Sequence, residues 1–345
     1  MATTLRDIAR KAGVHPSTVS RILHNNQTVK ISDATRKRIL AIAKELDYQP
    51  NELARAFRLR KTQTIGLIIP DISNSFFSGI SRSIEMSSYN AGYNLVVCNT
   101  NENIEKELKY VRNLVNRGVD GLIIATCQNN EKHLLDLREK KIPFVLIDRY
   151  FSNFKANAVF SDNKSSAFDA VKTLHKLKHE RIAFLRGRPE ISTIQLRLQG
   201  YLEGLAACGI AQDPELIAGK SFTAEDGYEA TKMLLSLASP PTALLTSGNR
   251  IIIGALKAIK EFNIKLPDEL SIIAYTDDLF TPFLACPLTT ISHPLSEMGQ
   301  KAVDLLLHEI NNTNDNATTQ IEVKTIFSMR ESICELTTCR KTENV

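Results

Sequence analysis

Long apolar runs are missing from this 345-residue chain; no uninterrupted stretch approaches the ~18 residues of a membrane-spanning helix. The opening "MATTLRDIARKAGV" carries Arg6 and has no apolar core of the kind an export signal needs, so a cytoplasmic protein without a membrane partner is expected. Cysteine is sparse. The six, at 98, 127, 208, 286, 334 and 339, form no C-x-x-C and have no His pair at zinc spacing, so no metal is expected and reduced thiols are. Motifs for chemistry are absent too. No G-x-G-x-x-G follows "TIGLIIPD", and there is no G-x-x-x-x-G-K-[ST], G-x-S-x-G or H-E-x-x-H. These absences predict a protein that is not an enzyme and needs no cofactor.

Charge is plentiful but unevenly placed. Residues 1–61 hold 13 of the 43 Lys/Arg and only 5 of the 38 Asp/Glu, a net of +8, which leaves 30 basic against 33 acidic residues in the remainder. A small basic head before a mildly acidic body points to a polyanionic partner for the head. In that head, "TLRDIARKAGV" reads as a helix capped by Thr4 and stopped by Gly13. "HPSTVSRILHN" reads as a second helix with Pro16 at its first position; Val19, Ile22 and Leu23 face inward, and Ser17, Thr18, Ser20 and Arg21 face outward. A third runs from Ser32 to about Leu46. Two helices joined by a tight glycine turn, the second offering short hydroxylated side chains and an arginine, suit a DNA major groove, where Arg can pair with guanine O6 and N7.

From Thr64 onward β-branched segments alternate with amphipathic ones. "TIGLIIPD", "NLVVCNT", "GLIIAT", "PFVLID" and "AVFSD" form one series, and "RIAFLRG", "ALLTSG" and "LSIIAYT" a second. This pattern predicts two doubly wound α/β lobes with parallel sheets, with "LTTISHP" and "TQIEVKTIF" as returns of the chain between them. Ligands of such sheets bind beyond the carboxyl ends of the strands, which here face one cleft.

"TLRDIARKAGVHPSTVSRIL" followed by "ISDATRKRILAIAKELDYQPN" resembles the DNA-binding headpiece of the lactose/galactose repressor (LacI/GalR) family. "GLIIPDISNSFF", "RGVDGLIIA", "PFVLIDR", "LPDELSIIAY" and "PLTTISHP" fall in that family's order through the body. The resemblance implies an all-α helix-turn-helix headpiece at 1–50, a hinge helix at 51–61 and a periplasmic-binding-protein-like effector and dimerisation domain at 62–345. It also implies a homodimer on a pseudo-palindromic double-stranded DNA operator, regulated by a small-molecule effector of carbohydrate type. A soluble sugar-binding protein of the periplasmic type is the alternative, disfavoured by the basic head.

Carried over by position, Ser17 and Arg21 read base edges, Thr18 and Ser20 lie beside them, and Tyr48 and Asn51 contact the backbone; Thr4, Ala54 and Arg55 complete the candidate DNA contacts. Phe57 takes the place of an apolar wedge, usually Leu, that enters the minor groove. His15 stands where the family has a capping Ser and is expected to cap less well. In the cleft the candidates are Asp71, Phe76, Phe77, Asp148, Arg149, Asp162, Arg197, Phe222, Asn249, Thr276 and Asp277. Thr276 replaces a customary Asp, and Asn249 stands where Asp is common, while Arg149, Arg188 and Arg197 remain. That balance predicts an effector carrying an acidic group.

Overall fold

The computed structural model describes residues 3–23, 31–48, 61–127, 130–276, 278–312 and 317–336. It divides into two compact units, residues 1–62 and 63–345.

The first unit holds helices α1 (Leu5–Ala12), α2 (Pro16–Leu23) and α3 (Asp33–Glu45). Ile8, Ala9, Ala12, Val19, Ile22, Ile39, Ile42 and Ala43 are its buried core. Gly13 ends α1 at φ 63°, a left-handed conformation that a glycine enters without steric cost. Asp7 closes the start of α1 by accepting from the Thr4 N–H at 3.0 Å and the Thr4 hydroxyl at 2.6 Å.

The second unit contains two six-stranded sheets. Lobe 1 carries β1 (Thr64–Ile69), β2 (Asn94–Asn99), β3 (Gly121–Ile124), β4 (Phe144–Ile147), β5 (Ala158–Ser161) and β11 (Gln320–Val323), in the order β11-β5-β4-β3-β1-β2. Lobe 2 carries β6 (Ile182–Leu185), β7 (Ile217–Ala218), β8 (Ala243–Thr246), β9 (Ser271–Tyr275), β10 (Thr289–Ser292) and β12 (Ile326–Ser328), in the order β12-β10-β9-β8-β6-β7. Every pairing is parallel except β10 with β12.

Alternate strand residues feed opposite faces, which is why the central strands carry apolar residues on both. In β1, Ile65, Leu67 and Ile69 join a core with α4 (Ser75–Asn90) and α11 (Leu295–Asn311), whereas Ile68 joins one with α5 (Ile104–Asn116) and α6 (Lys132–Glu139). Lobe 2 is covered in the same way by α7 (Asn163–Lys176) with α8 (Ser192–Ala207) on one face and α9 (Ala224–Leu235) with α10 (Asn249–Glu261) on the other. Each helix pair of lobe 2 approaches closely at glycine. A Cβ on Gly200 would overlap the Lys164 carbonyl oxygen, and one on Gly254 the Ala224 carbonyl oxygen.

The chain crosses between lobes three times: from β5 into α7, from β10 into α11 and from β11 into β12. "LTTISHP" and "TQIEVKTIF" are therefore the second and third crossings. Cys98, Cys127, Cys208 and Cys286 are free thiols, as expected, but Cys334 is disulfide-bonded, a correction to the expectation of reduced cysteines. Among the described residues no helix is long and apolar enough to cross a membrane, and no three His, Cys, Asp or Glu side chains gather to hold a metal ion.

Candidate functional site

In the head, the sequence places Ser17 and Arg21 on the exposed face of α2 and leaves Thr18 half-buried. Ser20 is different. It is only 7% exposed, so the expectation that it faces outward is corrected: it follows Val19 and precedes Ile22 by two, at the edge of the buried stripe. His15 does cap. Its Nδ1 accepts the Ser17 N–H at 3.3 Å and lies 2.8 Å from the Ser17 hydroxyl, while its carbonyl receives the Thr18 N–H at 2.9 Å. The imidazole thus satisfies a first-turn donor that a hydroxyl would otherwise take. Tyr48 packs half-buried against the core of the head. Asn51, Ala54, Arg55 and Phe57 lie outside the described residues, as does Asp277.

In the body, the carboxyl ends of strands from both lobes surround a cavity of about 490 Å³, within the range of small-molecule sites. Asp71, Phe76, Phe77, Asp148, Arg149, Arg197, Phe222 and Asn249 line it. Phe76 and Phe77 meet edge to face at 4.9 Å and also belong to the lobe 1 core, so they are wall and core at once. Phe222 lies so close over Gly187 that any Cβ there would strike its ring.

Asp162 and Thr276 are not in the lining. The Asp162 carboxylate instead accepts the Thr325 N–H at 2.8 Å, tying the first crossing to the third. The Thr276 hydroxyl donates to Asp278 at 2.8 Å and accepts the Asp278 N–H at 3.2 Å, folding into its own turn.

Arg197 is 6% exposed and spreads its guanidinium over three acceptors: Asn163 Oδ1 at 2.7 Å, the Ser247 carbonyl at 2.7 Å and His293 Nε2 at 3.1 Å. Asn163 and His293 stand at the first and second crossings, so this side chain joins the cavity floor to the hinge. Asp148 adopts φ 64°, a left-handed backbone that non-glycine residues rarely take and that is found where a site fixes it. Burial pushes its carboxyl above the usual Asp range, against the pull of Arg149, His293 and Arg197. Arg149, 4% exposed, donates two bonds to Glu102, at 2.6 and 2.9 Å, and one to the Thr126 carbonyl at 3.2 Å. Burial works against that charge, but the Glu102 bonds and charge outweigh it and its pKa is raised. Its guanidinium carbon sits 5.6 Å from the Phe77 ring and 5.3 Å from the Phe222 ring, each ring coming from a different lobe.

Several contacts span the lobes directly. Arg250 Nη1 lies 2.7 Å from Asp71 Oδ2, Arg188 Nη1 lies 3.4 Å from Glu102 Oε2, and the Asn249 amide donates to the Ser75 hydroxyl. Glu102, Arg250 and His293 were missed from sequence. Their only signals were position, in "CNTNEN" after β2, in "SGNR" after β8 and in "SHP" after β10.

A helix-turn-helix head with an exposed arginine, joined in one chain to a two-lobed body closed around a ligand-sized cleft, defines a ligand-responsive DNA-binding protein. Residues 4–51 match the family described as bacterial regulatory proteins, lacI family, and residues 62–329 match periplasmic binding proteins and the sugar binding domain of the LacI family. The chain belongs to the LacI family of transcription regulators. It is 35% identical over 309 residues to the HTH-type transcriptional repressor CytR of Escherichia coli (strain K12), covering 90% of each chain. To the ribose operon repressor of Haemophilus influenzae it is 32% identical over 333 residues, 96% of this chain and 99% of that one. The crystal structure of the lac repressor dimer bound to operator and the anti-inducer ONPF superposes with a TM-score of 0.86 at 25% identity, over 97% of this chain and all of that one.

Proposed function

We propose that this protein is a homodimeric, cytoplasmic, non-enzymatic repressor whose operator affinity is set by a carbohydrate-class effector held between the lobes. The observation that carries this reading is the direct ion pairing across the cleft, Arg250 with Asp71 and Arg188 with Glu102. A ligand there must exchange with those contacts, and its different affinity for the open and closed arrangements is what would shift DNA binding. The resemblance to a ribose operon repressor supports a sugar-like ligand. Apolar side chains left exposed on α4 and β2 (Met86, Tyr89, Val96, Val97) and after β9 (Leu279, Phe283) support a second copy as partner.

For DNA contact we assign base reading to Ser17 and Arg21, with Thr4, Thr18, Tyr48, Asn51, Ala54 and Arg55 along the phosphates and Phe57 as the minor-groove wedge; Ser20, being buried, supports the helix rather than the base contact. For the effector we assign Asp71, Phe76, Phe77, Asp148, Arg149, Arg197, Phe222 and Asn249. The test is DNA selection from a random pool with the full chain, followed by anisotropy titration of the selected site with and without a sugar panel. Selection of a two-fold symmetric site, and a sugar-dependent change in its affinity, are expected. Operator binding that survives removal of residues 1–61 would refute the reading. Phe57→Ala should weaken the selected site while sparing salt-sensitive nonspecific binding.

A further inference from the structure

The arginines of the cleft suggested an anionic effector, yet each is already engaged. Arg149 holds Glu102, Arg188 holds Glu102 and Glu190 (2.5 Å from Nη2), Arg250 holds Asp71, and Arg197 is bonded to Asn163, Ser247 and His293. We propose that Glu102 is the charge-selectivity residue of the cleft: its carboxylate fills the Arg149 fork that a phosphate or carboxylate group would need, so the cleft takes a neutral, hydroxyl-rich ligand. The proposal rests on the reading of this cleft as the effector site.

Glu102 is fixed in that role by its backbone. It and Asn101 both take left-handed φ, 56° and 53°, and the Glu102 N–H donates to the Pro70 carbonyl at 3.3 Å. Asn99 adds a brace, donating to Asn101 Oδ1 at 2.6 Å and accepting the Ile72 N–H at 2.9 Å. The carboxylate is thereby held against a guanidinium that is almost wholly buried, in the two-bond geometry that is the strongest form of Arg–carboxylate pairing. An incoming anion must break both bonds and the Arg188 contact as well, and then leave Glu102 repelled by the newcomer. A sugar ring asks for none of this. Ser73, Asn74, Thr193, Ser221 and Asn249 offer neutral donors and acceptors, and Phe222 offers an apolar face.

The experiment is isothermal titration of the full-length protein with inorganic phosphate, comparing wild type, Glu102→Gln, Glu102→Asp and the double variant Glu102→Gln/Arg149→Met. Glu102→Gln should bind phosphate at least tenfold more tightly than wild type, Glu102→Asp should stay near wild type, and the double variant should lose the gain, which locates it at the Arg149 fork. Equal phosphate affinity for wild type and Glu102→Gln, or a gain that persists without Arg149, would overturn the proposal. A second arm compares ribose with ribose 5-phosphate on the wild type, where tighter binding of the phosphorylated sugar also overturns it. Phosphate reports on the cleft whether or not any ligand controls DNA binding, so the failure of this proposal and of the regulatory reading are separate results.

Discussion

The two walls of the cleft are built from the same kind of sheet but carry opposite charge. Lobe 1 lines it with Asp71, Glu102 and Asp148 against one arginine, whereas lobe 2 contributes Arg188, Arg197 and Arg250 and no carboxylate among the described lining residues. Backbone differs as well: Asn101, Glu102 and Asp148 of lobe 1 have left-handed φ, and no non-glycine lining residue of lobe 2 does. On the acidic wall a left-handed backbone sets where the Glu102 and Asp148 carboxylates stand, whereas the arginines of the basic wall are positioned by their side-chain bonds. Closure is therefore favoured electrostatically even before a ligand arrives, and a ligand has to improve on contacts the protein already makes.

The largest break in this asymmetry is Arg197→Met. It removes three bonds to a buried charged group, each worth ~1.5–3 kcal/mol, and disconnects the cavity from two crossings. Effector titration should show at least 100-fold weaker ligand binding, and DNA affinity should no longer respond. Asp148→Asn comes next and has the opposite sign for stability. The folded pKa of Asp148 is raised, so the folded chain holds its proton more tightly than the unfolded chain does. Its cost to folding is absent below the ordinary Asp value and grows as pH rises through the folded pKa. The variant should melt higher than wild type at pH 7 and level with it at pH 3; a lower melting temperature at pH 7 would mean that the charge is net stabilising.

Exchanging the partners of the exposed pair sharpens the electrostatic claim. Asp71→Arg alone should open the lobes, measured as an increased radius of gyration, and Asp71→Arg with Arg250→Asp should close them again. The pair is part-exposed, so the effect on stability should stay within ~1 kcal/mol. Smallest in reach is His15→Ala in the head, which loses the imidazole cap of α2. Unfolding of the head should be easier by ~0.5–1 kcal/mol, with the melting of the lobes unchanged.

The fold was readable because local pattern and global packing agree. In β1 and β3 apolar residues occupy both faces, and in α1–α3 they recur at helical spacing, so few arrangements were compatible. The site was half readable. Strand ends announced Asp71, Asp148 and Arg149; Glu102 and Arg250 also follow strands, but their roles come from contacts between residues 47 and 179 apart in sequence. No local pattern encodes such a distance. Thr276 and Asp162 stand at strand ends too, yet the Thr276 hydroxyl is taken by Asp278 in its own turn and the Asp162 carboxylate by the Thr325 N–H of the third crossing, a competition that strand position alone does not reveal. Ser20 shows the same limit on a helix, where one step of rotation separates a groove-facing residue from a core one.

Lobe 1 is assembled from two stretches of chain far apart in sequence. Met298, Ala302, Val303 and Leu306 of α11 complete the core that β1, β3, β4 and α4 begin, and β11 forms an edge of the sheet. During synthesis, a chain that has reached residue 292 has already made the whole head and five strands of this lobe, but the sheet face that α11 shares with α4 is still only partly covered. A message cut short at that point yields a head attached to a sticky, half-covered sheet, which favours aggregation over a constitutive repressor. Lobe 1 therefore cannot be finished until α11 and β11, which follow every helix of lobe 2, have been made.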